Sequence, residues 1–225
     1  LDLSKIEAGR LELEDIEFDL HDTIRKTLNI IKIKAYEKNI ELNLEIQPEV
    51  PEKLTGDPVR IKQVLINFLS NAIKFTEKGG VKLAVDIQNE LNHSDAMVRF
   101  SVTDTGIGIP AEKIDLLFET YRQVEKSTTR KFGGTGLGLY ISQKLVQKMN
   151  GSIKVTSTLN VGSTFAVSLP MKGVRAAVSP HLSGIENVIF VGTKSSFTQI
   201  QKYFESHQIQ TFNYLELAVK PQFTK

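Results

Sequence analysis

Among its 225 residues the chain has no cysteine, no tryptophan and only seven prolines. The missing cysteines exclude disulfides, thiolate metal sites and thiol nucleophiles together, and accord with a reducing compartment. No uninterrupted apolar run approaches the roughly 20 residues that a spanning helix needs. The first residues carry no signal-peptide pattern, so the chain as given reads as a soluble domain. An excess of charge is missing too. Lys and Arg number 28 against 26 Asp and Glu, a formal +2 that makes no case for nucleic acid or a lipid surface. What is present, 40% hydrophobic and 24% charged residues, is globular composition sufficient for one full domain and part of another.

Along the chain, Leu1 to Gly9 reads as the last turns of a helix closed by a glycine cap. Ile16 to Leu20 alternates as a strand, and Ile24, Leu28, Ile31 and Ala35 mark a helix ending near Lys38. A second strand covers Ile40 to Ile46, and Pro48 and Pro51 mark a turn. Gly56-Asp57-Pro58 offers a capping Asp with Pro at the first helical position. A helix follows through Ile61, Val64, Leu65, Phe68, Leu69 and Ala72 to Lys74 or Phe75. Strands at Val81 to Ile87 and Met97 to Val102 lead into the polar turn Asp104 to Pro110. A short helix at 111–118, a loop at 119–134, a helix at Leu137 to Met149 and a hairpin of Ile153 to Thr158 with Thr164 to Leu169 complete the series. The economical packing is α/β, a two-layer sandwich of a mixed sheet and helices.

Three segments carry chemistry. In the first, Asn67, Asn71 and Lys74 recur at helical spacing and share one stripe. Amide oxygens are hard neutral ligands that suit Mg²⁺, and a Lys one turn away supplies charge to phosphate. An amphipathic helix with an Asn-rich exposed face reads equally well from this segment alone. In the second, Asp104-Thr105-Gly106-Ile107-Gly108 follows a strand. Its glycines admit a flat ligand, and its carboxylate accepts from an exocyclic amine, which adenine has and guanine replaces with a carbonyl. A tight turn requiring glycine is the alternative. The third, Gly133-Gly134-Thr135-Gly136-Leu137-Gly138-Leu139, opens a helix and leaves N–H groups free for oxyanions, or serves as a hinge. It lacks the Gly-Lys-Ser/Thr ending of a Walker loop.

In this order the three segments resemble the N, G1 and G2 boxes of the sensor histidine kinase catalytic domain, within the superfamily that includes gyrase, Hsp90 and MutL. The resemblance covers residues 11–170. It takes in Leu117-Phe118-Glu119 as an F box, Ser127 to Lys131 as lid, and the closing Gly162-Ser163-Thr164-Phe165. It implies a Bergerat-type ATP-binding fold with ATP and Mg²⁺ as cofactors. Asn71 is then the metal ligand with Asn67 assisting, and Lys74 contacts phosphate. Asp104 reads adenine N6, and Gly106 and Gly108 shape the base pocket. Gly134, Thr135, Gly136, Leu137 and Gly138 hold the lid near the triphosphate, with Arg130 and Lys131 able to touch it. Phe118 packs the lid base, and Thr164 supports the adenine pocket beside Asp104.

Hydrolysing relatives place Glu where this chain has Asn67, and Asn is no general base at neutral pH. The implied reaction is therefore transfer of the γ-phosphoryl group to a histidine. His21, His93, His181 and His207 all lack the acceptor context, which places the acceptor on a dimerisation domain upstream of this fragment. Residues 1–10 resemble the end of that domain's second helix. The implied setting is a two-component phosphorelay: a homodimeric full-length protein, a response regulator or receiver domain as partner, no nucleic acid, and a cytoplasmic position in a membrane-bound sensor. A nucleotide-binding scaffold and a hydrolytic ATPase are the alternatives. Residues 171–185 have linker composition. Residues 186–225, with strands at Val188 to Val191 and Ile209 to Tyr214 around a helical pattern from Phe197 to Phe204, resemble a partial receiver-like unit. Gly192-Thr193-Lys194 stands there where receivers carry acidic metal ligands.

Overall fold

The computed structural model describes residues 8, 10–91, 95–118, 137–173, 187–190, 201 and 210–213. The chain divides into two compact units, Leu1–Arg175 and Ala176–Lys225. In the first, β1 (Ile16–Asp19) leads into α1 (Leu20–Glu37), followed by β2 (Glu41–Ile46), β3 (Lys53–Gly56) and α2 (Pro58–Phe75). Then come β4 (Gly80–Glu90), β5 (Asp95–Asp104) and the short α3 (Ala111–Ile114), which runs into a 3₁₀ turn at Asp115–Phe118. The unit closes with α4 (Gly138–Lys148), β6 (Ser152–Thr158) and β7 (Gly162–Gly173).

Seven strands make one mixed sheet in the order β1-β3-β7-β5-β4-β2, with β6 also paired to β7. Among the described residues of this sheet only β2 and β4 run parallel, and α2 lies between them in sequence along with β3. β7 pairs with β5 along most of its length, while β6 and then β3 pair with different stretches of it. Alternation sets the two faces. In β5, Val98, Phe100, Val102 and Asp104 are buried, and the residues between them are half-buried. The face away from the core is polar, with Arg99 paired to Asp86 at 2.9 Å and Lys82 to Glu45 at 3.2 Å.

The helices cover the other face. Ile24 and Ile31 of α1, the stripe Ile61, Val64, Leu65, Phe68, Leu69, Ala72 and Ile73 of α2, and Leu145 and Val146 of α4 join the sheet residues in one core. Each of the Ile, Val, Leu and Phe side chains among them contributes roughly 1.5–3 kcal/mol on burial. Phe68 meets Phe165 of β7 with ring centres 5.4 Å apart and planes tilted by 46°, linking helix layer to sheet. This is the two-layer α/β sandwich expected.

Local signals explain the boundaries. The Asp57 carboxylate accepts from Arg60 N–H at 2.9 Å, and Pro58 follows it, so α2 starts where the sequence indicates. The other carboxylate oxygen accepts from Glu14 N–H at 3.1 Å and ties the incoming segment to this cap. Leu20, expected at the end of a strand, is instead the first residue of α1, because the Asp19 carboxylate caps the helix through Asp22 N–H at 2.7 Å. β3 falls where only a turn and a capping segment are expected. β4, β5 and β7 all run longer than their apolar alternation, because each has a long partner.

The second unit has two described strands, β8 (Asn187–Phe190) and β9 (Gln210–Asn213), paired parallel with Val188 opposite Thr211. Of the helix expected between them only Gln201, which is helical, is described. The expected helix end before Gly9, apart from Ala8, and the expected linker from residue 174 onward lie outside the described residues.

Candidate functional site

The site is built on the C-terminal half of α2. Burial of Phe68, Leu69, Ala72 and Ile73 fixes the rotation of the helix, so Asn67, Asn71 and Lys74 fall together on its half-buried margin. The end of the helix is firmly held. The Thr76 hydroxyl donates to the Ala72 carbonyl at 2.7 Å, and Lys38 Nζ donates to the carbonyls of Ile73 and Lys74 at 2.9 Å each. The Lys74 ammonium stands 4.8 Å from the centre of the Phe75 ring, and its partial burial lowers its pKa below the ordinary lysine value.

Asp104 ends β5 on the core side of the sheet and is only 7% exposed. Burial pushes its carboxyl above the usual aspartate range, and the backbone N–H groups of Gly106 and Ser163 pull it back. The Gly106 N–H donates to Oδ1 at 2.8 Å. An ionised carboxylate accepts about four hydrogen bonds, so acceptor capacity remains for an incoming donor.

The turn after Asp104 is fastened on both sides. Toward α2, Ile107 N–H donates to the Phe75 carbonyl at 3.2 Å, and at the start of β4 the Gly80 carbonyl accepts from Thr105 N–H. Toward the β6–β7 hairpin, Asn160 N–H donates to the Ile107 carbonyl at 2.7 Å and Ile109 N–H to Ser157 Oγ at 2.7 Å. The Ser157 hydroxyl gives its one proton to the Gly162 carbonyl at 3.0 Å, so the contact with Ser163 Oγ at 2.9 Å requires Ser163 to be the donor. Gly108 takes φ +66° where the hairpin crosses, and a Cβ there would collide with the Thr158 carbonyl. Asp104 and the α2 stripe are thus held on either side of the Phe75–Ile107 bond.

The sequence-based residues distribute unevenly. The turn that carries Asp104, Gly106 and Gly108 lies against the end of the helix that carries Asn71 and Lys74, through the Phe75–Ile107 bond. Asn67 is engaged elsewhere: its Nδ2 donates to Ser142 Oγ of α4 at 2.9 Å. Thr164 is a correction. The register pairs Asp104 with Ser163 and Thr103 with Thr164, and the two threonine hydroxyls meet at 3.0 Å on the other face of the sheet. The neighbour of Asp104 is therefore Ser163. Phe118 is half-buried in the 3₁₀ turn, while the adjacent Leu117 packs against the core. Leu137 and Gly138 stand at the start of α4. Arg130, Lys131, Gly134, Thr135 and Gly136, together with Glu119 and Ser127 to Thr129, lie outside the described residues.

Ser142, Ser157 and Lys38 escape sequence reasoning, because lone serines and a helix-end lysine carry no pattern, and Ser163 falls inside the closing motif without a role of its own. Among the described residues no three His, Asp or Glu gather as a metal cage, so a divalent cation here would depend on a ligand's own oxygens. A cleft of about 380 Å³ at the opposite end of α2, lined by Glu14, Asp57, Ile61 and Lys148 among others, is remote from this chemistry. Among the described residues no helix is long and apolar enough to cross a membrane.

Comparison with known proteins places this geometry. The chain is 38% identical over 192 residues to hybrid signal transduction histidine kinase B of Dictyostelium discoideum, covering 85% of this chain and 10% of that protein. It is 41% identical over 196 residues to the sensor protein GacS of Pseudomonas syringae pv. syringae, covering 80% and 22%. The chain thus spans between a tenth and about a fifth of these curated relatives. Full-length ShkA in complex with AMPPNP superimposes with a TM-score of 0.75 at 28% identity, over 94% of this chain and 43% of that one. The model of the histidine kinase-, DNA gyrase B- and HSP90-like ATPases matches residues 56–173, from the cap of α2 to the end of β7, and the chain belongs to that family.

Proposed function

We propose that this chain binds Mg·ATP and positions the γ-phosphoryl group for transfer to a histidine on a dimerisation domain upstream of it. The observation that carries the reading is the bond from Ile107 N–H to the Phe75 carbonyl, which joins a buried carboxylate to an Asn–Lys stripe. Asp104 accepts from the adenine N6 amine, and Gly106 and Gly108 keep the base pocket open. Lys74 contacts phosphate, and Asn71 offers Mg²⁺ a hard neutral oxygen. Bound Mg²⁺ would neutralise charge on the phosphate oxygens. The chain's own part is positioning and electrostatics, which dominate phosphoryl transfer. Asn67 cannot take a proton from water, which favours transfer over hydrolysis.

The relatives support this setting. Two are named as a signal transduction histidine kinase and a sensor protein, and the ShkA structure holds an adenine nucleotide. The reading extends to residues 1–10 as the end of the dimerisation helix, 11–170 as the catalytic domain, 171–185 as linker and 186–225 as a receiver-like unit. In the full-length protein the partners are a second copy and a response regulator or receiver domain. The site belongs on the cytoplasmic side, where ATP is.

Incubation with γ-labelled ATP and Mg²⁺ should leave this chain unlabelled and should label an added acceptor domain from its own full-length protein. Stable label on a histidine of this chain alone, or no nucleotide binding by calorimetry, would overturn the proposal.

A further inference from the structure

Asn67 stands at the crossing of α2 and α4. Its Nδ2 donates to Ser142 Oγ at 2.9 Å, and Ser142 is 2% exposed, so water does not compete for that hydroxyl. Its Oδ1 lies against Gly138, the first residue of α4, where a Cβ would collide with it. Only glycine allows the amide this close. The N-cap position of α4 is Leu137, which has no side-chain acceptor for the first N–H groups. An amide oxygen set against that turn meets the positive end of the helix, and the amide nitrogen meets the serine hydroxyl. Both ends of the amide thus have chemistry that fixes which way it faces, across 75 residues of sequence.

We infer that Ser142 is a positioning residue: it orients the Asn67 amide as a latch that holds the first turn of α4 onto α2, beside Asn71 and Lys74, and keeps Asn67 out of the metal's coordination. The inference rests on the nucleotide-binding reading above for its consequence, but not for its geometry. Asn67 and Ser142 then act as one unit, and Asn71 alone of the two asparagines faces the cation.

The test is a double-variant cycle on the whole chain with Asn67→Ala, Ser142→Ala and both together. In the nucleotide-free protein, backbone amides of residues 139–142 should exchange faster in either single variant, and no faster in the double. ATP affinity should fall about five-fold in each, the usual worth of one hydrogen bond, without adding in the double. The Mg²⁺ concentration for half-maximal nucleotide binding should stay within about two-fold of the parent, whereas loss of a metal ligand would raise it ten-fold or more. Additive effects, unchanged exchange in Ser142→Ala, or a raised Mg²⁺ requirement in Asn67→Ala would overturn the latch. If the parent binds no nucleotide, the functional reading fails and the exchange cycle alone judges the latch.

Discussion

Replacing Asp104 by Asn changes one oxygen to an NH₂ group at a buried position. The remaining amide oxygen can keep the Gly106 N–H, now 2.8 Å from Oδ1. The new NH₂ then stands where the incoming adenine amine, itself a donor, needs an acceptor. A donor opposed to a donor in a buried site forfeits about 1–3 kcal/mol. That weakens ATP binding by about 5- to 150-fold. Calorimetric titration with ATP measures it directly. Folding stability should not fall in parallel, because burial already opposes the charge of Asp104. The pH dependence has a definite sign. With its folded pKa raised above 3.8, the carboxyl holds its proton more tightly in the folded chain. Ionising it therefore reduces stability as pH rises through the window from 3.8 to the folded value, and Asp104→Asn lacks that slope. In the same window ATP affinity of the parent should decline as pH falls, where an ordinary aspartate is still charged, and the variant should lack this component. Equal affinities for parent and variant at neutral pH would mean that the base is read elsewhere.

Asn71→Ala should abolish metal-dependent phosphoryl transfer to the acceptor domain while leaving the fold intact by circular dichroism; transfer within two-fold of the parent would remove Asn71 from the metal site. Asp57→Ala strips the cap of α2 and the anchor of Glu14 N–H together, and should lower stability by about 1–2 kcal/mol in urea denaturation. A change under about 0.3 kcal/mol would show that the cap contributes nothing there.

The parts of the fold that announce themselves locally are legible in the sequence. α2 is the clearest case, since Asp57-Pro58 and the Ile61-to-Ala72 periodicity place it at 58–75 within a residue of its observed end. β3 is illegible for the opposite reason. Lys53-Leu54-Thr55-Gly56 buries one large side chain, Leu54, and owes its extended form to β1 and β7, which are distant in sequence. The error at Thr164 has the same source. Alternation shows that Ser163 and Thr164 face opposite sides, but only the register with β5 decides which one accompanies Asp104. Motif order can identify Asn67 as a site residue; that its amide is taken up by Ser142 depends on how α4 crosses α2.

Lys38 on the last carbonyls of α2 has an electrostatic consequence. Phosphate sites usually exploit the start of a helix, where backbone N–H groups converge. Here Asn71 and Lys74 sit in the final turns, at the negative end of the helix dipole. Such an end repels a bare polyanion and attracts a cation. By donating to Ile73 and Lys74, Lys38 cancels part of that repulsion from behind, without itself reaching across the helix. On the proposed reading, Mg·ATP, whose metal offsets part of the phosphate charge, therefore suits this end better than the more negative free nucleotide.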